Sequence, residues 1–129
     1  MKTKTSSSNA YATFGGLADF ILPALVSGAT GAIAGGANVT PRACVRVFDL
    51  YKQGKLEEAI EAQSLLAQGD YEHTARGIQG TKAALQTFFR YGGIPRRPLR
   101  GVPGPTVDEM SKNMQNLMDF ENQLEKASS

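Results

Sequence analysis

Apolar residues follow two spacings along this chain, and each predicts its own kind of element. A short aromatic run, AYATF at residues 10–14, ends at a glycine pair and has the composition of a buried strand. Apolar residues then recur with helical spacing over 17–27, where Pro23 keeps the helix short or kinked and Gly28 ends it. The run TGAIAG at 30–35 is too short for a helix and predicts a second strand. The three elements together predict a parallel β-α-β unit.

Beyond this unit the pattern is helical. Thr40 is predicted as an N-cap with Pro41 at the first helical position, and the helix that they start ends at Gly54. The apolar stripe of this helix consists of Cys44, Val47, Phe48 and Tyr51. A second helix is predicted over 55–68, and its apolar side consists of Leu56, Ala59, Ile60, Gln63, Leu66 and Ala67.

Two more helices flank a Gly/Pro-rich connection at residues 91–105, where proline prevents a continuous helix. The first covers 81–90 and faces inward with Ala84, Leu85, Phe88 and Phe89. The second opens with the capping-box pattern Thr106-x-x-Glu109. One face of it carries Met110, Met114, Leu117 and Met118, which indicates a core or interface stripe. The pattern contains no internal repeat and predicts no second domain.

Composition narrows the class of protein. The 129 residues are 41% apolar and 20% charged, as expected for one globular domain. Because 14 basic side chains oppose 12 acidic ones, a nucleic-acid partner is not expected. The longest apolar run, residues 20–26, is too short to span a bilayer, so no membrane partner is expected either. The single cysteine, Cys44, excludes an internal disulfide framework and a Cys-type zinc site and favours the cytosol.

The first ten residues are basic and rich in Ser and Thr. They resemble a weak transit peptide, which keeps mitochondria as an alternative location, but they have no arginine and no amphipathic pattern. Residues 1–10 are therefore predicted to be a disordered tail.

The glycine-rich stretch at 31–41 is the first candidate for chemistry. It has neither the Gly-x-Gly-x-x-Gly spacing nor the Gly-Lys-Ser/Thr ending of a phosphate loop, so it indicates close backbone approach instead of nucleotide binding. His73 is predicted to be a solvated surface histidine, because Asp70 and Glu72 are not expected to share its helical face. Cys44 is predicted to be an inert buried thiol.

Three arginines in the connection, Arg96, Arg97 and Arg100, are expected to be salt-bridged or solvated, with a polyproline-like ligand or a phosphate contact as alternatives. The sequence contains no paired catalytic carboxylates, no Ser/His arrangement and no metal-ligand spacing. No metal and no cofactor are therefore predicted.

In combination, an apolar strand ending at Gly16, the helix ADFILPALVSGA, the strand GAIAG, ANV-P at the head of the next helix, and GKLEEA resemble a known family. That family is the dihydrodipicolinate synthase / N-acetylneuraminate lyase family of class I Schiff-base aldolases. The later segment GIQGTKAALQTFFRYGGIPRRPL is also similar to the family's C-terminal helices. The branch most resembled contains fungal-type 4-hydroxy-2-oxoglutarate and 2-keto-3-deoxy sugar-acid aldolases.

The resemblance implies an α/β fold, the C-terminal part of a TIM (β/α)8 barrel. Residues 11–54 would supply strands seven and eight with their helices, residues 55–129 a C-terminal helical region, and the isolated chain would be mostly helical. Since a whole barrel takes about 250 residues, the chain is expected to be roughly its last third. Two positions match substrate-binding positions of the family: Gly16 after strand seven and Ile33 on strand eight.

The resemblance also implies what this chain does not contain. In the family a lysine on strand six forms the Schiff base with a pyruvate-type 2-keto acid, and a tyrosine and a Thr-Thr pair assist; all would lie before residue 1. Lys2 and Lys4 sit in a polar tail, where nothing lowers the pKa of an amine. The chain departs from many relatives at Leu17 and Ala18, where polar residues often contact the distal end of the substrate, and Asp19 is a weak candidate to replace them.

The sequence therefore predicts a truncated carbon–carbon lyase of this family that is inactive alone. The alternatives are a non-catalytic interaction partner of a full-length relative and a small helical ligand-binding module. Because two strands cut from a closed barrel expose their edges, a homo- or hetero-oligomer is expected.

Overall fold

The computed structural model describes residues 11–128. Two short strands, β1 (Phe14–Gly15) and β2 (Gly31–Ala32), flank a 3-10 turn (Ala18–Phe20) and helix α1 (Ile21–Val26). A second 3-10 turn (Gly35–Asn38) follows. The other helices are α2 (Pro41–Lys52), α3 (Leu56–Thr74), α4 (Gly77–Phe89), α5 (Gly104–Asn113) and α6 (Gln115–Ala127). The predicted tail at 1–10 lies outside the described residues.

The predicted β-α-β unit is present, with β1 and β2 pairing in parallel so that Phe14 lies opposite Gly31. Backbone bonds extend the pairing at both ends: the Thr30 N–H donates to the Thr13 carbonyl at 2.7 Å, and the Ile33 N–H donates to the Gly15 carbonyl at 2.8 Å. The strands are shorter than the sequence predicted, and in the described part of the chain each has only the other as neighbour. One edge of each strand therefore remains open.

The helix predicted over 17–27 is split into the 3-10 turn and α1. Pro23 is the third residue of α1, where a missing N–H costs little because the first turn has no intrahelical acceptors. Gly28 has a φ of +99°, the left-handed conformation predicted for the residue that ends this helix.

The helical region differs from its prediction at four boundaries. Helix α4 begins at Gly77 instead of residue 81. Helix α3 continues to Thr74 instead of ending at residue 68. Helix α5 begins at Gly104, so Thr106 lies inside the first turn and the predicted capping box is wrong. The last predicted helix is two helices, which meet at Met114.

The core has two parts. In the first, α1, α2 and α3 pack together through Leu25, Val47, Leu50 and Leu66. In the second, three residues of the predicted stripe, Met110, Met114 and Met118, are buried against Val39 and Ala84. The fourth, Leu117, is also buried but belongs to the first part of the core.

The predicted apolar side of α3 is partly wrong. Leu56 and Ile60 are 50% and 53% exposed, whereas Ala59, Gln63 and Leu66 are buried. The buried stripe is therefore offset from the predicted one, because small and polar residues of α3 meet the β-α-β unit. In α4, Ala84 is buried as predicted but Phe89 is largely exposed.

Candidate active-site rim

The structure places both predicted substrate-binding residues at the same edge of the sheet. Gly16 directly follows β1, and Ile33 directly follows β2. We call residues 16–20 the β1 rim and residues 33–38 the β2 rim. The Ile33 N–H bonds to Gly15, so the two rims are joined through backbone where they leave the strands. The carboxyl edge of parallel strands is where barrel enzymes build their sites.

Both residues are open to solvent. Gly16 is exposed, and a Cβ added there would meet no atom within 4 Å; Ile33 is 71% exposed. Gly15 is different: a Cβ there would lie 3.1 Å from both Ala24 and Phe20, so this glycine lets α1 pack closely on β1. Gly16 therefore leaves room for a ligand at the β1 rim, whereas Gly15 allows α1 to pack closely on β1.

Asp19 lies in the 3-10 turn of the β1 rim, and its Oδ1 atom is buried without a hydrogen-bond partner among the described residues. A buried oxygen without a partner is costly to maintain unless something else satisfies it. The role of Asp19 as a polar group of the site stays a prediction.

His73 is fully buried, and the predicted surface histidine is wrong. Its Nε2 lies 3.3 Å from Oδ1 of Asp70, also fully buried, and its Nδ1 lies 3.1 Å from the Thr81 hydroxyl. The two residues share a face because α3 extends past residue 68, which places positions three apart side by side. The spacing Asp-x-x-His could have indicated this pair in the sequence, but only if the helix was known to continue past residue 68.

The Asp70 carboxylate lies against the β2 rim. A Cβ on Gly36 would be 1.9 Å from Oδ1 of Asp70, so only glycine fits beneath this carboxylate. The glycines of this stretch do bring backbone close to other groups, as predicted, but at Gly36 the neighbour is a side chain of the chain itself.

Gln63 holds the β1 rim. Its Oε1 accepts the Leu22 N–H at 2.8 Å, and its Nε2 donates to the Ala18 carbonyl at 3.0 Å. The sequence placed Gln63 on the apolar side of a helix, and no local signal indicated this contact.

Glu121 supplies the cap at the start of α2 that the sequence assigned to Thr40. The Arg42 N–H donates to Oε1 of Glu121 at 3.0 Å, and the Ala43 N–H donates to Oε2 at 2.7 Å. Thr40 precedes the helix but makes no side-chain cap bond. The Arg42 guanidinium also pairs with Glu121 at 3.4 Å and with Glu125 at 3.0 Å.

Cys44 is buried on α2, as predicted. Burial raises the pKa of its thiol from 9.0 to about 12, with smaller contributions from the charges of Asp70 and Glu121. The thiol is therefore protonated at neutral pH, which fits the predicted inert role.

The arginine-rich connection is exposed, and none of the ion pairs among the described residues involves Arg96, Arg97 or Arg100. The Leu99 N–H donates to the Arg96 carbonyl at 3.2 Å, which makes this segment a turn, and Pro95 is buried. A turn with a buried proline is not the extended helix that polyproline-binding domains recognise, so that alternative is wrong.

Two further observations concern the described residues only. No three His, Cys, Asp or Glu side chains among them are grouped as a metal site would need. None of their helices is long and apolar enough to cross a membrane.

Comparison with known proteins agrees with this geometry. The sequence model of the dihydrodipicolinate synthetase family matches residues 1–120. The L-threo-3-deoxy-hexylosonate aldolase of Hypocrea jecorina is 45% identical over 95% of this chain and 39% of its own length. A protein of Emericella nidulans named as a mitochondrial 4-hydroxy-2-oxoglutarate aldolase is 39% identical over 89% of this chain and 37% of its own length.

A solved structure shows the same fold. The dihydrodipicolinate synthase family protein of Coccidioides immitis superposes with a TM-score of 0.76 at 31% identity, covering 88% of this chain and 39% of that one. This chain thus spans less than two fifths of the length of each relative. It belongs to the dihydrodipicolinate synthetase family, and its fold is the C-terminal part of a TIM barrel, strands seven and eight with their helices, followed by a helical region.

Proposed function

We propose that this chain forms the strand-seven and strand-eight wall of the active site of a carbon–carbon lyase that acts on pyruvate-derived 2-keto acids through a Schiff base. The proposal rests on one observation above all: Gly16 and Ile33 lie side by side at the carboxyl edge of the sheet, both exposed. The names of the relatives, which are aldolases of deoxy-keto sugar acids and of 4-hydroxy-2-oxoglutarate, support this substrate class.

In this proposal the chain contacts the substrate and shapes one wall of the pocket. The groups that break the carbon–carbon bond come from the other strands of the barrel. The described lysines are Lys52, Lys55, Lys82, Lys112 and Lys126, and each lies on a helix or in a connection between helices. A Schiff-base amine needs surroundings that lower its pKa, such as a desolvated pocket, and none of these lysines is buried. The lysine, the tyrosine and the Thr-Thr pair expected from the family would therefore be supplied by the part of the barrel that precedes strand seven.

Reconstitution of a split barrel tests the proposal. The 129-residue chain is mixed with the segment of the Hypocrea jecorina relative that precedes its match to this chain, and pyruvate release from a 2-keto-3-deoxy sugar acid is followed. We expect no turnover with either part alone and turnover with the mixture. Pyruvate release by this chain alone, with borohydride trapping on Lys2 or Lys4, would contradict the proposal.

The variant Gly16→Val tests whether the β1 rim contacts the substrate in the reconstituted barrel. A Cβ at Gly16 would meet no atom within 4 Å, so we expect the fold to be retained while the rim gains bulk. In the mixture we expect kcat/KM to fall at least about tenfold, since small displacements of a bound substrate are costly. Gly104→Ala, which also adds a Cβ into open space but at the start of α5, should leave kcat/KM unchanged.

The open strand edges also favour a second candidate, a non-catalytic partner that docks on a full-length relative. Association with the complementary segment that never yields turnover would support this candidate over the first. The relative named as mitochondrial keeps mitochondria beside the cytosol as the proposed compartments.

A further inference from the structure

Helix α3 runs past both rims. Gln63 contacts the β1 rim and Asp70 contacts the β2 rim. The two residues are seven positions apart, which is about two helical turns and places them on one face. Leu66 lies between them and is fully buried, so the helix cannot roll without losing core contacts.

The Gln63 contact has a specific chemical form. Leu22 is the second residue of α1, so its N–H has no partner within the helix. The Ala18 carbonyl lies in the 3-10 turn, two residues beyond Gly16. A glutamine carries one acceptor and one donor group at its end and satisfies both backbone groups with a side chain only 7% exposed. It thereby fixes the direction in which the chain leaves Gly16.

We propose that Gln63 is a positioning residue for the substrate: by bonding the Ala18 carbonyl and the Leu22 N–H it fixes the path of the β1 rim beyond Gly16, and with it the width of the opening between the β1 rim and the β2 rim. The inference rests on the proposed function, because a width matters only if a ligand enters there. It assigns to the C-terminal helical region a part in substrate binding.

Hydrogen exchange tests the contact without reference to any activity. In the 129-residue chain, Gln63→Leu removes both hydrogen bonds and keeps a similar volume. We expect the Leu22 amide to exchange about tenfold faster, the effect of losing one ordinary hydrogen bond. Gln68→Leu is the matched control, since Gln68 is an exposed glutamine of the same helix, and it should leave exchange at Leu22 unchanged.

Kinetics of the split barrel test the positioning role. With Gln63→Leu we expect KM for the 2-keto-3-deoxy sugar acid to rise about tenfold with kcat little changed, because a loosened rim weakens binding without touching the reacting atoms. Gln63→Glu keeps an acceptor for the Leu22 N–H but loses the donor to the Ala18 carbonyl. Its KM should therefore lie between that of the unmodified protein and that of Gln63→Leu. Should Gln63→Leu fail to fold, Gln63→Met, which also removes the amide group but is more flexible, carries the exchange measurement, and Gln63→Glu carries the kinetic one.

Each outcome decides a separate point. Unchanged exchange at Leu22 overturns the contact itself. Faster exchange with an unchanged KM, whether or not the apparent kcat falls in proportion to lost folded protein, overturns the positioning role and leaves a structural one. Absence of turnover in the unmodified mixture overturns the proposed function and with it the positioning role, while the exchange result still shows whether Gln63 holds the rim.

Discussion

Three buried polar side chains of the helical region, Gln63, Asp70 and Glu121, lie against backbone that precedes or begins a helix: Gln63 at the start of α1, Asp70 at Gly36 and Glu121 at the start of α2. Backbone groups at the ends of elements lack internal partners, and a buried one without a partner is costly. Gln63 and Glu121 satisfy such groups, and Asp70 lies where only a glycine leaves room for it. Gln63 therefore holds the β1 rim, and Glu121 holds the start of α2.

Cys44 allows a prediction about pH. Its pKa is raised by burial to about 12, so the folded protein keeps the thiol proton between about pH 9 and about pH 11, where the unfolded chain loses it. The folded state then binds more protons, and the free energy of unfolding should fall by about 2 kcal/mol over this range from Cys44 alone. Denaturant titrations of the chain at several alkaline pH values measure the effect.

Cys44→Ala is the control, because it removes the titrating group while other groups still respond to pH. The variant should lose less stability than the parent over the same range. Equal alkaline slopes for the two proteins would contradict the prediction, as would rapid reaction of Cys44 with a thiol reagent in the folded state at neutral pH.

At the scale of elements, the start of α2 depends on the last helix. Pro41 at the first position fits the sequence prediction, but the acceptors for the next two N–H groups come from Glu121 on α6. The segment that leaves the β2 rim enters α2 at this same end. Helix α6 therefore stabilises α2 from outside, and the two helices should unfold together.

Glu121→Ala should lower the free energy of unfolding by about 2 kcal/mol, because two N–H groups near the buried end of α2 lose their acceptor. Glu125→Ala, which removes the exposed partner of Arg42, should cost about 0.5 kcal/mol or less. Chemical denaturation of both variants gives the comparison. Similar losses for the two would show that the cap contributes no more than a surface ion pair.

At the level of the molecule, the two-stranded sheet is open at both of its edges in the described part of the chain. Each strand has one neighbour, and the exposed apolar residues around it include Phe14, Leu17, Phe20 and Ile33. Open edges beside apolar side chains favour pairing with another chain or segment. In a closed barrel, strands six and one would cover these edges.

The chain alone is therefore expected to self-associate through this surface, and sedimentation velocity over a wide concentration range measures it. Phe14→Lys places a charge on the exposed face and should shift the distribution towards monomer. Ile78→Lys, at an exposed apolar position of α4, should not. A stable monomer at all concentrations, without any added segment, would contradict the expectation.

Spacing between neighbouring residues was sufficient to predict the order of the β-α-β unit, the glycine that ends α1, the start of α2 at Pro41 and the buried methionine stripe. The resemblance supplied the family and the assignment of Gly16 and Ile33 to strands seven and eight. The burial of His73, the exposure of Leu56 and Ile60, and the contacts of Gln63 and Glu121 became known only from the fold. Sequence distance explains the difference: Gln63 bonds to residues 41 and 45 positions away, and Glu121 bonds to residues 78 and 79 positions away. Spacing within one helix carries no information about such partners.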